Sequence, residues 1–246
     1  MAVGQLPPWR AGRFVPSVVT SQPPAQDFAR AYALLTSHGY TVISVGLSQK
    51  LSGTTAAALQ AAGREGAGDV RVVDTLSASA GQGLLGMLAA EAAIEGMSAG
   101  EVEALLAAAI PQTRVLGIAN DLKYAVKGGR VPAWVKKVAD LLHINPVLTA
   151  SKEGTVGVGG VHFGRGANPV RLARTMIGKM RPDTMYRVLI SHANNEQGAR
   201  RLRQEILERH ARIHSCHITD AGPALGAHFG PGGLIAGFTP QPDVLK

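Results

Sequence analysis

Two periodicities alternate along the first hundred residues. From Asp27 to Ser37 the apolar side chains Phe28, Ala31, Tyr32, Leu34 and Leu35 recur at helical spacing. Gly39 ends that pattern, and Thr41 to Leu47 reads as a short buried strand rich in β-branched residues. A turn over Ser48 to Gly53 leads into an Ala-rich helix from Thr54 to Ala62. Val70 to Val73 reads as a second strand, Ser77 to Gly83 as a glycine-serine turn, and Leu84 to Gly96 as a helix. Ser98 with Glu101 three residues on has the form of a capping box, opening a helix that runs to Ala109. Helices and strands in alternation predict parallel βαβ units.

The pattern changes after Pro111. Arg114 to Ala119 reads as a strand, Leu122 to Val126 as the start of a helix, Lys127 to Arg130 as a loop and Pro132 to Leu142 as a helix. Asn145 to Ala150 and Thr155 to Phe163 flank the turn Lys152-Glu153-Gly154, as the strands of a hairpin do. A helix over Pro169 to Lys179, a strand over Arg187 to Ser191, a long amphipathic helix over Asn195 to His210 and a strand over Ile213 to Ile218 follow. The fold class expected is α/β with two domains. Residues 1–110 form a parallel-sheet unit, and residues 111–246 form an α+β unit with a mostly antiparallel sheet.

Composition narrows the function classes. Hydrophobic residues at 46% and charged residues at 17% describe a folded chain rather than a disordered one. The aromatic share of 4% leaves little for a base-stacking platform. The net charge of +8 comes from basic residues scattered through the second half, not from a dense run, so no nucleic-acid partner is expected. A lone cysteine, Cys216, excludes an internal disulfide framework and a cysteine-based zinc site; it reads as a buried strand thiol in a reducing compartment. The stretch Leu84 to Ile94 is too short to span a bilayer and carries Glu91, and MAVGQLPPWRAGRF lacks a signal-peptide core. A cytoplasmic protein without integral membrane association is expected.

The candidate chemistry sits in turns where small residues expose backbone amides or hydroxyls. Helix N-termini at the carboxyl ends of strands attract anions. Leu51-Ser52-Gly53-Thr54-Thr55 is the clearest such place: Ser52 could donate to a carboxylate or phosphate oxygen, or serve as an ordinary helix cap. Thr20-Ser21-Gln22-Pro23-Pro24 presents hydroxyls and an amide ahead of a helix, and Asp74 reads as an orienter of neighbouring turns. Gly128-Gly129-Arg130 sets a guanidinium, suited to planar anions, beside a flexible loop. Gly226 to Gly233 places His228 in a glycine-rich turn after an apolar strand. The sequence has no P-loop, no GxSxG elbow, no HExxH and no acidic cluster for Mg²⁺, so no metal site and no cofactor are expected.

Five strings in order, TSQPP (Thr20 to Pro24), LSQKLSGT (Leu47 to Thr54), VVDT with its following serine and glycines (Val72 to Gly83), LKYAVKGGRV (Leu122 to Val131) and GAHFGPGG (Gly226 to Gly233), resemble the DegV family. The resemblance implies two α/β domains with a long-chain fatty acid held between them. It further implies a non-enzymatic carrier that offers the acyl carboxylate to a separate fatty acid kinase catalytic subunit. Thr20, Ser52 and the Gly53 amide would contact the carboxylate, with Arg130 and His228 as the polar network behind it and Arg165 at the kinase-facing surface. Two departures stand out. The strand and TDSTADLP-like turn with which family members open are not visible ahead of Thr20, so one strand and part of the pocket wall are expected to be missing. Gln49 stands where the family often has a serine. The alternative reading is a small hydrolase or acyltransferase in which Ser52 is the nucleophile, His228 its base and Asp74 the orienting acid.

Overall fold

The computed structural model describes residues 20–164 and 166–245; Arg165 therefore lies outside the described residues. The chain runs through α1 (Ala25–Ser37), β1 (Val42–Gly46), α2 (Thr54–Ala62), β2 (Val70–Asp74), α3 (Ala80–Ile94) and α4 (Ala99–Ala109). β1 and β2 pair in parallel, Val42 opposite Val70 and Gly46 opposite Asp74. Their near-continuous apolar runs follow from burial on both faces. Val42, Val70 and Val72 pack against Tyr32 of α1 and Ala58 and Ala61 of α2. Ile43, Val45 and Val73 face the opposite way, against Leu85, Leu88, Ala92, Val102 and Leu106 of α3 and α4. The capping box forms: Ser98 N–H donates to the Glu101 carboxylate at 2.7 Å, and Glu101 N–H donates to Ser98 Oγ at 3.4 Å.

The second sheet is built from β3 (Arg114–Ile118), β4 (Ile144–Ala150), β5 (Val156–Phe163), β6 (Tyr186–His192), β7 (Ile213–Asp220) and β8 (Leu234–Pro240). Its order is β5-β4-β3-β8-β6-β7, antiparallel throughout except for the parallel β6–β7 pair. Between these strands lie α5 (Lys123–Lys127), α6 (Ala133–Leu141), α7 (Pro169–Ile177), α8 (Glu196–Arg209) and α9 (Gly222–Phe229). α7 and α8 cover one face, where Leu172, Met176, Leu202 and Ile206 meet Leu116, Val188, Ile190, Ala236 and Phe238. Cys216 of β7 is buried at this face, and burial pushes its thiol up to about 11. No helix among the described residues is long and apolar enough to cross a membrane.

The opposite face receives α3. Ala80 and Leu84 pack on Val115, Leu189 and Ile235, one from each of β3, β6 and β8. The same helix turns Leu85, Leu88 and Ala92 toward the two-stranded sheet, so α3 is buried between the two sheets and apolar nearly all round. Near its carboxyl end Arg187, only 4% exposed at its side chain, donates to the Glu91 carboxylate at 2.6 Å and also to the Gln241 amide oxygen.

Three local expectations are corrected. α3 begins at Ala80 rather than Leu84, so Ala80, Gly81 and Gly83 are helical and not part of a turn. Their smallness has a packing cause: a β-carbon on Gly81 would lie 2.1 Å from Ser77 Oγ, and one on Gly83 would lie 2.7 Å from Leu189. The sharp entry is made at Ser79, whose φ is +53°. His228 sits in the last turn of α9, not in a turn following an apolar strand; the turn is confined to the residues after Phe229, with Gly230 and Gly232 at φ +68° and +87°. Leu234–Pro240, which was not anticipated as a strand, is β8 at the middle of the large sheet.

The seat of α3 on β8 depends on Gly237. A β-carbon there would lie 2.8 Å from the Ala80 carbonyl carbon and 2.9 Å from Gly81 N, all backbone atoms that cannot yield as a side chain can. Gly237→Ala is expected to destabilise the fold by about 1–3 kcal/mol, an overpacking cost. Gly86→Ala in the same helix, where nothing lies within 4 Å, is expected to be neutral or stabilising by up to about 1 kcal/mol. Chemical denaturation of both variants reads the difference, and equal midpoints would contradict this packing.

Candidate functional site

The turn between β1 and α2 is held from several sides. Ser48, fully buried, donates its N–H to Ser77 O and its hydroxyl to Gly154 O, both at 2.8 Å, which ties the turn to the β4–β5 hairpin of the other sheet. The N–H groups of Leu51 and Ser52 donate back to Ser48 O at 3.0 and 3.2 Å. Beyond this tight turn Ser52 Oγ lies 2.8 Å from Thr54 Oγ1 and accepts from Thr54 N–H at 3.3 Å. Asp74 accepts from Leu76 N–H at 2.9 Å and from the backbone and side chain of Gln49, each at 3.2 Å, so it orients the two turns as expected.

Gly53 has an ordinary φ of −69°, so the position needs glycine for space rather than for conformational freedom. A β-carbon there would lie 2.8 Å from the Gln22 carboxamide. Gln22 thus lies over the start of α2, carried by the extended segment that precedes α1. Two residues earlier on that segment, Thr20 Oγ1 is 2.9 Å from His228 Nε2.

His228 closes the arrangement on the far side. Its ring lies over Gly128, where a β-carbon would be 2.1 Å from Nδ1. Nδ1 itself is buried without a hydrogen-bond partner among the described residues. Arg130, exposed, donates Nε–H to Leu51 O at 3.3 Å and a terminal N–H to Gly128 O. The loop that carries Arg130 is bent at Gly129, φ +74°. Thr20, His228, Gly128, Arg130, Leu51, Ser52, Gly53 and Gln22 therefore form a ring of successive contacts. It brings together the five residues expected around the carboxylate, Thr20, Ser52, Gly53, Arg130 and His228.

The ring also includes residues that sequence reasoning passed over. Gln22 belongs to the TSQPP string but has no role in the sequence reading, Gly128 enters by its closeness to the His228 ring, and Ser48, outside the ring, ties the neighbouring turn to Gly154. Chemically, the ring offers hydroxyls at Thr20 and Ser52, the amides opening α2 and a guanidinium at Arg130. These are donors to a planar anion. A serine-hydrolase relay is not assembled: Ser52 Oγ bonds Thr54, His228 Nε2 bonds Thr20, and Asp74 takes its donors from Gln49 and Leu76. Among the described residues no group of three or more His, Cys, Asp or Glu side chains is placed to hold a metal ion.

Behind His228 the surroundings turn apolar. Phe229 and Leu225 of α9 pack with Ala80, Leu84, Val115, Leu189 and Ile235. Phe229 also touches the cluster of Ala119, Leu122, Ala125 and Leu148. Gly117 gives the ring of Phe229 its room, since a β-carbon there would lie 2.7 Å from it.

A family model named DegV and described as uncharacterised protein matches residues 16–239. A DegV domain-containing protein of Deinococcus radiodurans is 30% identical over 232 residues, which cover 94% of this chain and 80% of that one. A solved structure from Thermotoga maritima, described as revealing a fatty acid binding function, superposes with a TM-score of 0.80. It is 28% identical, and the match covers 95% of this chain and 82% of that chain. The Fatty Acid Kinase (Fak) B3 protein of Streptococcus pneumoniae, solved loaded with linoleic acid, superposes with a TM-score of 0.75 over 90% of this chain and 78% of its own. At 22% identity that likeness concerns the fold alone.

The imidazole of His228 gives the ring a pH signature. Burial first, and the Arg130 charge second, hold its pKa below the ordinary histidine value. A protonated ring would bury an N–H at Nδ1 facing Gly128. The unfolded chain therefore binds this proton more readily than the folded one. Stability from the neutral ring is full above the ordinary histidine value and is lost as the pH falls through the lowered folded value. Thermal melts from about pH 7.5 to pH 5 should show a loss of stability on acidification that His228→Asn reduces. Parallel pH profiles for the two proteins would contradict this environment for His228. His162, whose pKa burial also lowers, is present in both and cancels in the comparison.

Proposed function

The chain belongs to the DegV family, and we propose that it binds a long-chain fatty acid between its two units, residues 1–110 and 111–246, and presents the carboxylate to a separate kinase subunit. The observation that carries this reading is the ring itself. Thr20–His228 and Leu51–Arg130 contacts bring donors from distant parts of the chain around one small space. Thr20, Ser52 and the Gly53 amide would meet the carboxylate oxygens. Arg130 would supply the balancing charge, and His228 would hold Thr20 in place. Burying a carboxylate without such donors would be prohibitive.

The acyl tail would follow the apolar side chains that start at Phe229 and Leu225 and continue to Leu84, Val115 and Ile235. Each methylene removed from water contributes about 0.8 kcal/mol, so the tail governs affinity and the ring governs orientation. In the reaction we assign to the partner, a carboxylate oxygen bonds to the γ-phosphorus of ATP as the bond to the ADP oxygen breaks. The chain described here would contribute position and not the phosphoryl donor.

The fatty acid binding function described for the Thermotoga maritima structure supports the ligand class. The kinase partner rests on the name of the Fak B3 protein. Thr20→Ala and Ser52→Ala should each weaken fatty acid binding about tenfold, the loss of one hydrogen bond to a charged group. Titration with a fluorescent fatty acid, with melting curves to confirm folding, checks this. Unchanged affinity in both variants would remove the carboxylate from this ring.

A further inference from the structure

We propose that Gly128 fixes the tautomer of His228, with the ring proton on Nε2, and that His228 thereby turns Thr20 into a hydrogen-bond donor toward the ligand. Nε2 and Thr20 Oγ1 are 2.9 Å apart, a hydrogen bond that either atom could donate. The other ring nitrogen settles the direction. Nδ1 is buried and has no hydrogen-bond partner among the described residues. An N–H buried there would carry its full desolvation cost, and orphaned N–H groups are rarer than under-satisfied acceptors. The charge that acts on this ring is that of Arg130, a guanidinium, which offers donors only.

Gly128 supplies what faces Nδ1. A β-carbon on Gly128 would lie 2.1 Å from Nδ1, 2.7 Å from Cε1 and 3.4 Å from Cγ. Together these distances put that point in the plane of the imidazole and outside Nδ1, where the lone pair or the hydrogen of that nitrogen must project. In glycine an α-hydrogen takes this direction. A hydrogen on Nδ1 would be pressed against it, whereas a lone pair receives it as a weak C–H contact. Gly128 has an ordinary φ of −71°, so its smallness serves this contact and not the turn. The turn is made by Gly129, at φ +74°. The two glycines ahead of Arg130 therefore have different causes.

The consequence falls on Thr20. With the proton on Nε2, the ring N–H donates into a lone pair of Thr20 Oγ1, and the hydroxyl proton is left for another acceptor. In the opposite tautomer Nε2 would take that proton, and Thr20 would present lone pairs alone. An ionised carboxylate brings acceptors and no proton, so only the first arrangement lets Thr20 meet it. A hydroxyl that accepts an N–H is also polarised into a stronger donor. His228 is thus a positioning residue that acts on the ligand through Thr20. The choice of a carboxylate as acceptor rests on the proposed function; the tautomer does not.

Long-range proton–nitrogen NMR on the full chain, ligand-free and labelled with 15N-histidine, tests this above the ordinary histidine pKa. The chain has eight histidines, and the signals lost in His228→Gln identify the one in question. The expected spectrum has His228 protonated at Nε2 and bare at Nδ1. A proton on Nδ1, or the averaged shifts of a free imidazole, would overturn the proposal. Titration with a fluorescent long-chain fatty acid tests the consequence. His228→Gln can place an amide N–H where Nε2 stands and should keep affinity within about threefold, whereas His228→Leu and Gly128→Ala should lose about tenfold. Adding His228→Leu to Thr20→Ala should cost nothing further, because the histidine acts through that hydroxyl. Losses that add, or equal losses in the Gln and Leu variants, would contradict the positioning role. Circular dichroism melts confirm that each variant folds, and the spectrum of the unaltered chain decides the tautomer should one fail. An unaltered chain that binds no fatty acid would remove the carboxylate reading, while the nitrogen spectrum would still decide the tautomer.

Discussion

Everything else in the molecule is placed by the insertion of α3 between the two sheets. Its Leu85, Leu88 and Ala92 complete the core under β1 and β2, while Ala80 and Leu84 complete the core over β3, β6 and β8. A helix with two apolar faces cannot be exposed on either side, so the units are held together by the same hydrophobic burial that folds each of them. The contact is close at its start, where Gly237 lets the first turn of α3 lie on β8, and charged at its end, where Arg187 meets Glu91. Pairing holds the Glu91 carboxyl below the usual carboxylate range.

That fixed relation makes the ring possible. Thr20 and Ser52 lie before and within the first sheet unit, whereas Arg130 and His228 belong to loops and helices of the second. Their contacts cross between the units, helped by the buried Ser48 to Gly154 bond. A site of this kind senses the position of both units at once. Its hydroxyls and amides are oriented by the backbone of short turns, and its single guanidinium is neutral toward any particular anion. Under the proposed function, specificity for a carboxylate with a long tail would come from the apolar residues behind His228.

Much of this was legible in the chain, for physical reasons that also explain the failures. β1, α2, β2, α4 with its capping box, the β4–β5 hairpin and α8 announce themselves through periodicity and punctuation, because each is governed by neighbours in sequence. The start of α3 was not legible. Ala80, Gly81 and Gly83 are small because Ser77, Leu189 and β8 press against them, and small residues in that pattern also make turns. The helix carrying His228 was hidden by the same ambiguity, its glycines read as a turn. β8 was missed because a short apolar run with a glycine at its middle has no distinctive period, although it pairs on both sides. Four of the five motif strings supply the residues of the ring. Gln22, whose role depends on what Gly53 leaves open, required coordinates.

The most direct measurement is mass spectrometry of an organic extract from protein purified without denaturation, with the ligand quantified against the chain. If the ring and the apolar residues behind it hold an acyl carboxylate, the extract contains a long-chain fatty acid at about one per chain, and Arg130→Ala with Ser52→Ala lowers that occupancy while the protein remains folded. A folded protein that yields no fatty acid, and takes up none when it is supplied, would contradict the assignment.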